Sequence, residues 1–319
     1  MTAFEPLFRN PHLSTLAGNF WRRAIKEARF PTRASVYETD PGTSVVVHEN
    51  RPAGLVKAEV ILVHGLEGSS RSGYMVSLAQ ALCENGFAAH RMNMRGCGDG
   101  DGLTDTLYHS GLTADALTVL RRIRHGSLAP LFLAGFSLGG NLTLKLAGEL
   151  GAGAAGLVNG FIAVSTPIDL SECVCRIDAR ENVVYQQRFV ISLRNRYRRR
   201  HLADPGRFPI DGLNRVHTIY GFDDHFTAPH FGFGTAANYY GTQSALNFVA
   251  GIRTPTLVVQ AINDPMIPFD LFSDPRLAGN PAIRLLTAAH GGHLGFISRR
   301  KPRFWLDSVI IDWLTEQLP

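Results

Sequence analysis

Short apolar runs recur along the chain, each closed by turn residues and most followed by a stretch with helical spacing. Ala58–Val63 (AEVILV) runs into His64-Gly65, and Phe87–Asn93 into Arg95-Gly96-Cys97-Gly98. Pro130–Phe136 (PLFLAGF) runs into Ser137, and Gly160–Thr166 into Pro167. Pro255–Ala261 (PTLVVQA) leads to Asn263-Asp264-Pro265, and Ile283–Ala288 to His290. Helical patterns fall near 72–84, 112–124, 138–150 and 303–318. Strands with little internal polar alternation, interleaved with helices, predict an α/β fold. Its sheet is mostly parallel and is covered by helices on both faces. Ala34–Thr39 and Thr43–Glu49 flank Asp40-Pro41-Gly42 and predict an antiparallel hairpin at the sheet edge.

The rhythm breaks between 168 and 250. The expectation is a core formed by 1–167 and 251–319, with 168–250 inserted as a lid over the crevice at the strands' carboxyl ends. The charge is not spread evenly, and one run within this segment accounts for the net positive balance. The net charge is +5, yet six arginines and no acid lie between Asn182 and Ala203, and without them the chain would stand at −1. Phe189, Leu193 and Tyr197, four residues apart, mark one face of a helix there. The expected surface is a solvated helix, with a peripheral anionic-membrane contact through Arg194, Arg196, Arg198, Arg199 and Arg200 as the functional alternative. No recognition-motif spacing accompanies these arginines, so no nucleic-acid partner is expected.

Cys83, Cys97, Cys173 and Cys175 lack zinc-ligand spacing and read as reduced thiols. No apolar run approaches a membrane span, and MTAFEPLFRNPHL does not read as a signal peptide. The expectation is a soluble, cytoplasmic protein without cofactor or metal. Asp99-Gly100-Asp101-Gly102 fails the calcium-loop spacing and reads as a loop, and Asp223-Asp224-His225 as part of the lid.

The sharpest chemical signal is Gly135-Phe136-Ser137-Leu138-Gly139, a G-x-S-x-G between an apolar strand and a helix. Such a tight turn needs small residues on either side and presents the serine hydroxyl at a helix N-terminus. A serine nucleophile needs a base and the base an orienting acid. Asp264 and His293 follow later strands and end at the same crevice, with Asp169 and His290 as the rival acid and base. Gly291-Gly292 let the chain turn back towards the serine, which favours His293. Oxyanion donors are expected at the N–H groups of Leu138 and of Leu66, in His64-Gly65-Leu66-Glu67-Gly68.

HGLEGSSRS, NMRGCG, YHSG, GFSLGGN, FDDHFTAPHFGFGTAANYY, NDPMIP and GGHLGF follow in an order that resembles the YheT-like branch of the α/β-hydrolases, and FRNPHLSTL is close to its opening motif. The resemblance implies a carboxylic ester hydrolase using Ser137, Asp264 and His293 on a small-molecule ester. The apolar and aromatic lid residues point to an apolar acyl group. Acyl transfer or perhydrolysis by the same triad, or a non-catalytic ligand-binding role for the fold, are the competing functional expectations.

Overall fold

The computed structural model describes residues 3–21 and 26–319. Its centre is an eight-stranded sheet: β1 (Arg33–Asp40), β2 (Thr43–Asn50), β3 (Glu59–Val63), β4 (Ala88–Met92), β5 (Leu131–Phe136), β6 (Gly160–Val164), β7 (Thr256–Ala261) and β8 (Ile283–Ala288). The spatial order is β1-β2-β4-β3-β5-β6-β7-β8. Pairing is parallel from β4 onward, and β2 is antiparallel to both β1 and β4. The hairpin stands at the edge, as its Asp-Pro-Gly turn predicts.

Side chains alternate across a strand, so a run buried on both faces must be apolar at every position. In β3, Ile61 and Val63 pack into one core layer, with α3 (Thr113–Gly126) and α4 (Leu138–Leu150). Val60 and Leu62 pack into the other, with α2 (Gly73–Glu84) and α11 (Trp305–Glu316). A helix that no periodicity argument singled out, α1 (Pro11–Phe20), begins at Asn10, whose side chain accepts from the N–H groups of His12 and Leu13.

Between β6 and β7 lies the segment expected to be an insertion. It contains α5 (Leu170–Asp178), α6 (Val183–Ala203), the short α7 (Ile219–Phe222) and α8 (Ala228–His230), and α9 (Ala236–Gln243); the short α10 (Pro275–Ala278) follows β7. Asp223–Thr227 form a π-helical turn between α7 and α8. Tyr197, Phe208, Phe222 and Phe226 form an apolar cluster within the insertion.

One expectation about α6 needs correcting. Arg196 and Arg200 are buried, so they are not available to a membrane surface. Arg196 donates to the Gly96 carbonyl at 2.9 Å and ion-pairs with Glu67 at 3.0 Å. Arg200 donates to the Thr104 carbonyl at 2.6 Å. Of the other three, Arg194 and Arg198 both donate to Asn214 Oδ1, and Arg199 reaches Asp101. Among the described residues no helix is long and apolar enough to cross a membrane.

Candidate active site

Ser137 joins β5 to α4 with φ of 53° and ψ of −120°, a conformation unusual for a residue with a side chain. The turn is held by Ser137 N–H donating to the Val164 carbonyl, and by Ser137 O accepting from Gly140 and Asn141. Its flanking glycines are sterically required. A Cβ on Gly135 would fall on the Gly139 carbonyl and the Thr143 hydroxyl, and one on Gly139 would lie 2.5 Å from the Val63 oxygen.

His293 and Asp264 meet at this turn. A carboxylate can only accept, so His293 Nδ1–H donates to Asp264 Oδ2 at 2.9 Å. That tautomer leaves Nε2 to accept from Ser137 Oγ–H, also at 2.9 Å. Asp264 is pinned in turn: Oδ1 accepts from the N–H groups of Met266 and Ile267, and Oδ2 accepts from the Gln260 amide. The rivals lie elsewhere. Asp169 caps α5 by accepting from Glu172 N–H, and His290 sits 3.4 Å from the Asn263 amide.

Beside the serine, the loop after β3 leaves one donor open. Gly65 N–H donates to the Tyr74 hydroxyl, Glu67 N–H to the Tyr108 hydroxyl, and Gly68 N–H to the Gly65 carbonyl, each at 3.0 Å. Leu66 N–H lies between them with no partner among the described residues. Leu138 N–H is likewise unpartnered at the start of α4. His64 fixes the loop from below, donating from Nδ1 to the Gly65 carbonyl and accepting at Nε2 from Met94 N–H.

Three supports had no readable signal at their own positions. Tyr74 and Tyr108 brace the loop, and Thr15 on α1 accepts from His293 N–H at 2.9 Å. Arg196 did carry a signal. It shares the three-and-four spacing of Leu193, Tyr197 and Arg200, which places it on the buried face of α6. Its guanidinium lies 5.0 Å over the Tyr108 ring, and its partner Glu67 also accepts from the Ser192 hydroxyl. The insertion is thereby bonded to the loop carrying Leu66.

Two cavities meet at Ser137 and His293. One encloses about 930 Å³, its open mouth included, and is walled by apolar residues such as Leu66, Leu138, Leu170, Ile177, Phe222 and Met266. The other, of about 740 Å³ including its mouth, is more polar, with Thr15, Asn19, Glu67, Ser72 and Arg188 in its wall.

Burial makes two imidazoles of this region sensitive to acid. Desolvation pushes His64 down to about 4 and His109 to about 3, from 6.5 for a free histidine. Below pH 6.5 the unfolded chain takes up protons the folded chain refuses, so stability present at neutral pH is lost as pH falls towards 4. Asp223 works in the opposite direction, because burial raises it to about 6 and protonation then relieves the folded state. From these three groups the expectation is a fall of about 3 kcal/mol in unfolding free energy between pH 7 and 4.5, to which the depressed Glu59, His48 and His230 add in the same direction. Urea unfolding at the two pH values checks it, and equal or greater stability at pH 4.5 contradicts it.

A strained serine between strand and helix, with an imidazole and a carboxylate arriving from later strand ends, defines a hydrolase of the α/β class. The chain belongs to the alpha/beta hydrolase fold family, whose model matches residues 59–299. It is 33% identical over 316 residues to the Escherichia coli protein named "Putative esterase YheT", covering 98% of this chain and 92% of that one. A "Monoacylglycerol lipase" of Saccharomyces cerevisiae is 30% identical over 78% of this chain, which spans only 57% of the yeast protein. Among solved structures, an esterase of Pyrococcus furiosus superposes with a TM-score of 0.61 at 14% identity. That match covers 93% of this chain and 99% of the other, and it speaks for the fold. The relatives set the chain in the esterase and lipase branch of the family.

Proposed function

We propose that this chain is a serine carboxylic ester hydrolase acting on esters of apolar acyl groups through an acyl-enzyme. The observation that carries the reading is the unbroken hydrogen-bond chain from Ser137 Oγ through His293 to Asp264. Ser137 Oγ attacks the ester carbonyl carbon while His293 Nε2 takes its proton. Asp264 holds the tautomer and stabilises the imidazolium. The Leu66 and Leu138 N–H groups, having no other partner among the described residues, receive the oxyanion. Collapse breaks the bond to the alcohol oxygen, which takes the proton from Nε2. Water, deprotonated by the same histidine, then releases the acid and restores the serine.

The apolar cavity takes the acyl chain and the polar one the alcohol. The segment 168–250 acts as the lid, since it supplies Leu170, Ile177, Phe222 and Tyr239 to the acyl wall. A fluorophosphonate probe is expected to label the protein once, at Ser137, and His293→Ala to abolish labelling. Labelling elsewhere, or at an unchanged rate in the histidine variant, contradicts the reading.

A further inference from the structure

The wall of the acyl cavity is mostly apolar surface, and several of its polar groups are committed to one another. The Tyr239 hydroxyl is bonded to the Ser110 hydroxyl at 2.7 Å and accepts from Ser110 N–H. Tyr108 lies between Glu67 N–H and the Glu67 carboxylate, and Arg196 is paired with Glu67. Asp223, the first residue of the π-helical turn, is the one carboxyl among the lining residues. Its carboxyl accepts from the Tyr240 hydroxyl at 2.7 Å and from Thr227. An ionised carboxyl offers about four acceptor positions, so capacity remains.

Asp223 is largely enclosed by protein, keeps some accessible surface and is one of the residues lining the cavity. No cation acts on it among the described residues, and the nearby charge is the like charge of Asp178. It is therefore no half of a structural ion pair. Burial without a counter-ion destabilises the fold, and π-turns are rare and frequent at functional sites. Tyr240 alone does not account for a carboxylate here, since an amide oxygen would accept the same bond.

We propose that the acyl cavity selects chains carrying a hydroxyl, and that Asp223 is the specificity residue that accepts its hydrogen bond. The inference rests on the ester-hydrolase reading and names the acyl class for that site. A neutral donor fits this largely apolar cavity better than an ammonium group, whose desolvation costs far more than that of a hydroxyl.

The test is kcat/KM for nitrophenyl decanoate against nitrophenyl hydroxydecanoates in which the hydroxyl is walked along the chain. At the position that reaches Asp223, the wild type is expected to prefer the hydroxy ester by about ten- to a hundredfold, the range for a hydrogen bond to a charged group. Asp223→Leu is expected to bring that ratio to about one or below, and Asp223→Asn, whose amide oxygen still accepts, to retain part of it. The Asn variant thus separates a lost acceptor from a damaged fold. The proposal is overturned if no hydroxyl position outperforms the parent ester, if the preference survives Asp223→Leu, or if an ammonio ester of equal length is preferred. Inactivity towards every ester, with no fluorophosphonate labelling, overturns the ester-hydrolase reading and this inference with it. Labelling at Ser137 without hydroxyl preference overturns this inference alone.

Discussion

Ser137→Ala is expected to lower kcat on a nitrophenyl ester by about 10⁴- to 10⁶-fold while leaving KM within a few-fold. The hydroxyl is the proposed bond-forming atom, whereas the cavity walls that bind substrate are untouched by the change. Residual turnover above the water rate is expected from the Leu66 and Leu138 donors, which still polarise a carbonyl for direct attack. Asp264→Asn should give a smaller loss, about 10⁴-fold, because an amide favours the wrong histidine tautomer and stabilises the imidazolium less. Single-turnover and steady-state kinetics on the two variants check the ranking. Ester turnover unchanged in Ser137→Ala would falsify the assignment of the nucleophile.

Gly139→Ala is the structural counterpart. Its added methyl would meet the Val63 oxygen at 2.5 Å and the His64 oxygen at 2.6 Å, both backbone atoms. Neither atom yields by turning a rotamer. Relief requires α4 to move away from the end of β3, and with it the loop carrying Leu66. The expected cost is about 3 kcal/mol or more, at the upper end of overpacking. In a chain of this size that lowers Tm by about 4–5 °C or more, with loss of ester turnover in the fraction that folds. Gly126→Ala is the control. It closes α3 with no atom near the added methyl, so its Tm should stay within about 2 °C. Calorimetric scans on both variants separate a steric requirement from mere sensitivity to alanine.

The sheet was legible because its physics is local. β3, β5 and β7 are buried at every position, so each reads as a short apolar run. Ser137, Asp264 and His293 were legible as polar residues just past such runs. What the sequence obscured depends on contacts between distant segments. Thr15 is an ordinary helix residue until it is seen to accept from His293, 278 positions later. The same is true of Tyr74, whose hydroxyl holds Gly65 N–H. The arginines of α6 were misjudged for another reason. Composition counts their charges together, whereas the helical period sends Arg196 and Arg200 inward with Leu193 and Tyr197. There each finds backbone carbonyls or an acid to satisfy it.

The seam between α1 and the His293 loop bears on the order in which the molecule becomes competent. The seam is tight: a methyl on Gly18 would lie 2.7 Å from Gly295 Cα, and one on Gly292 would lie 2.5 Å from the Pro11 oxygen. The segments that meet there are almost the full length of the chain apart. Closing so large a loop is entropically costly, and on the ribosome it must wait until the later segment has emerged. The serine turn needs only β3, β5, β6 and α4 and assembles earlier. On the proposed assignment a nascent chain is therefore expected to carry its strained serine before its histidine is seated, with reactivity as one of the last events of folding.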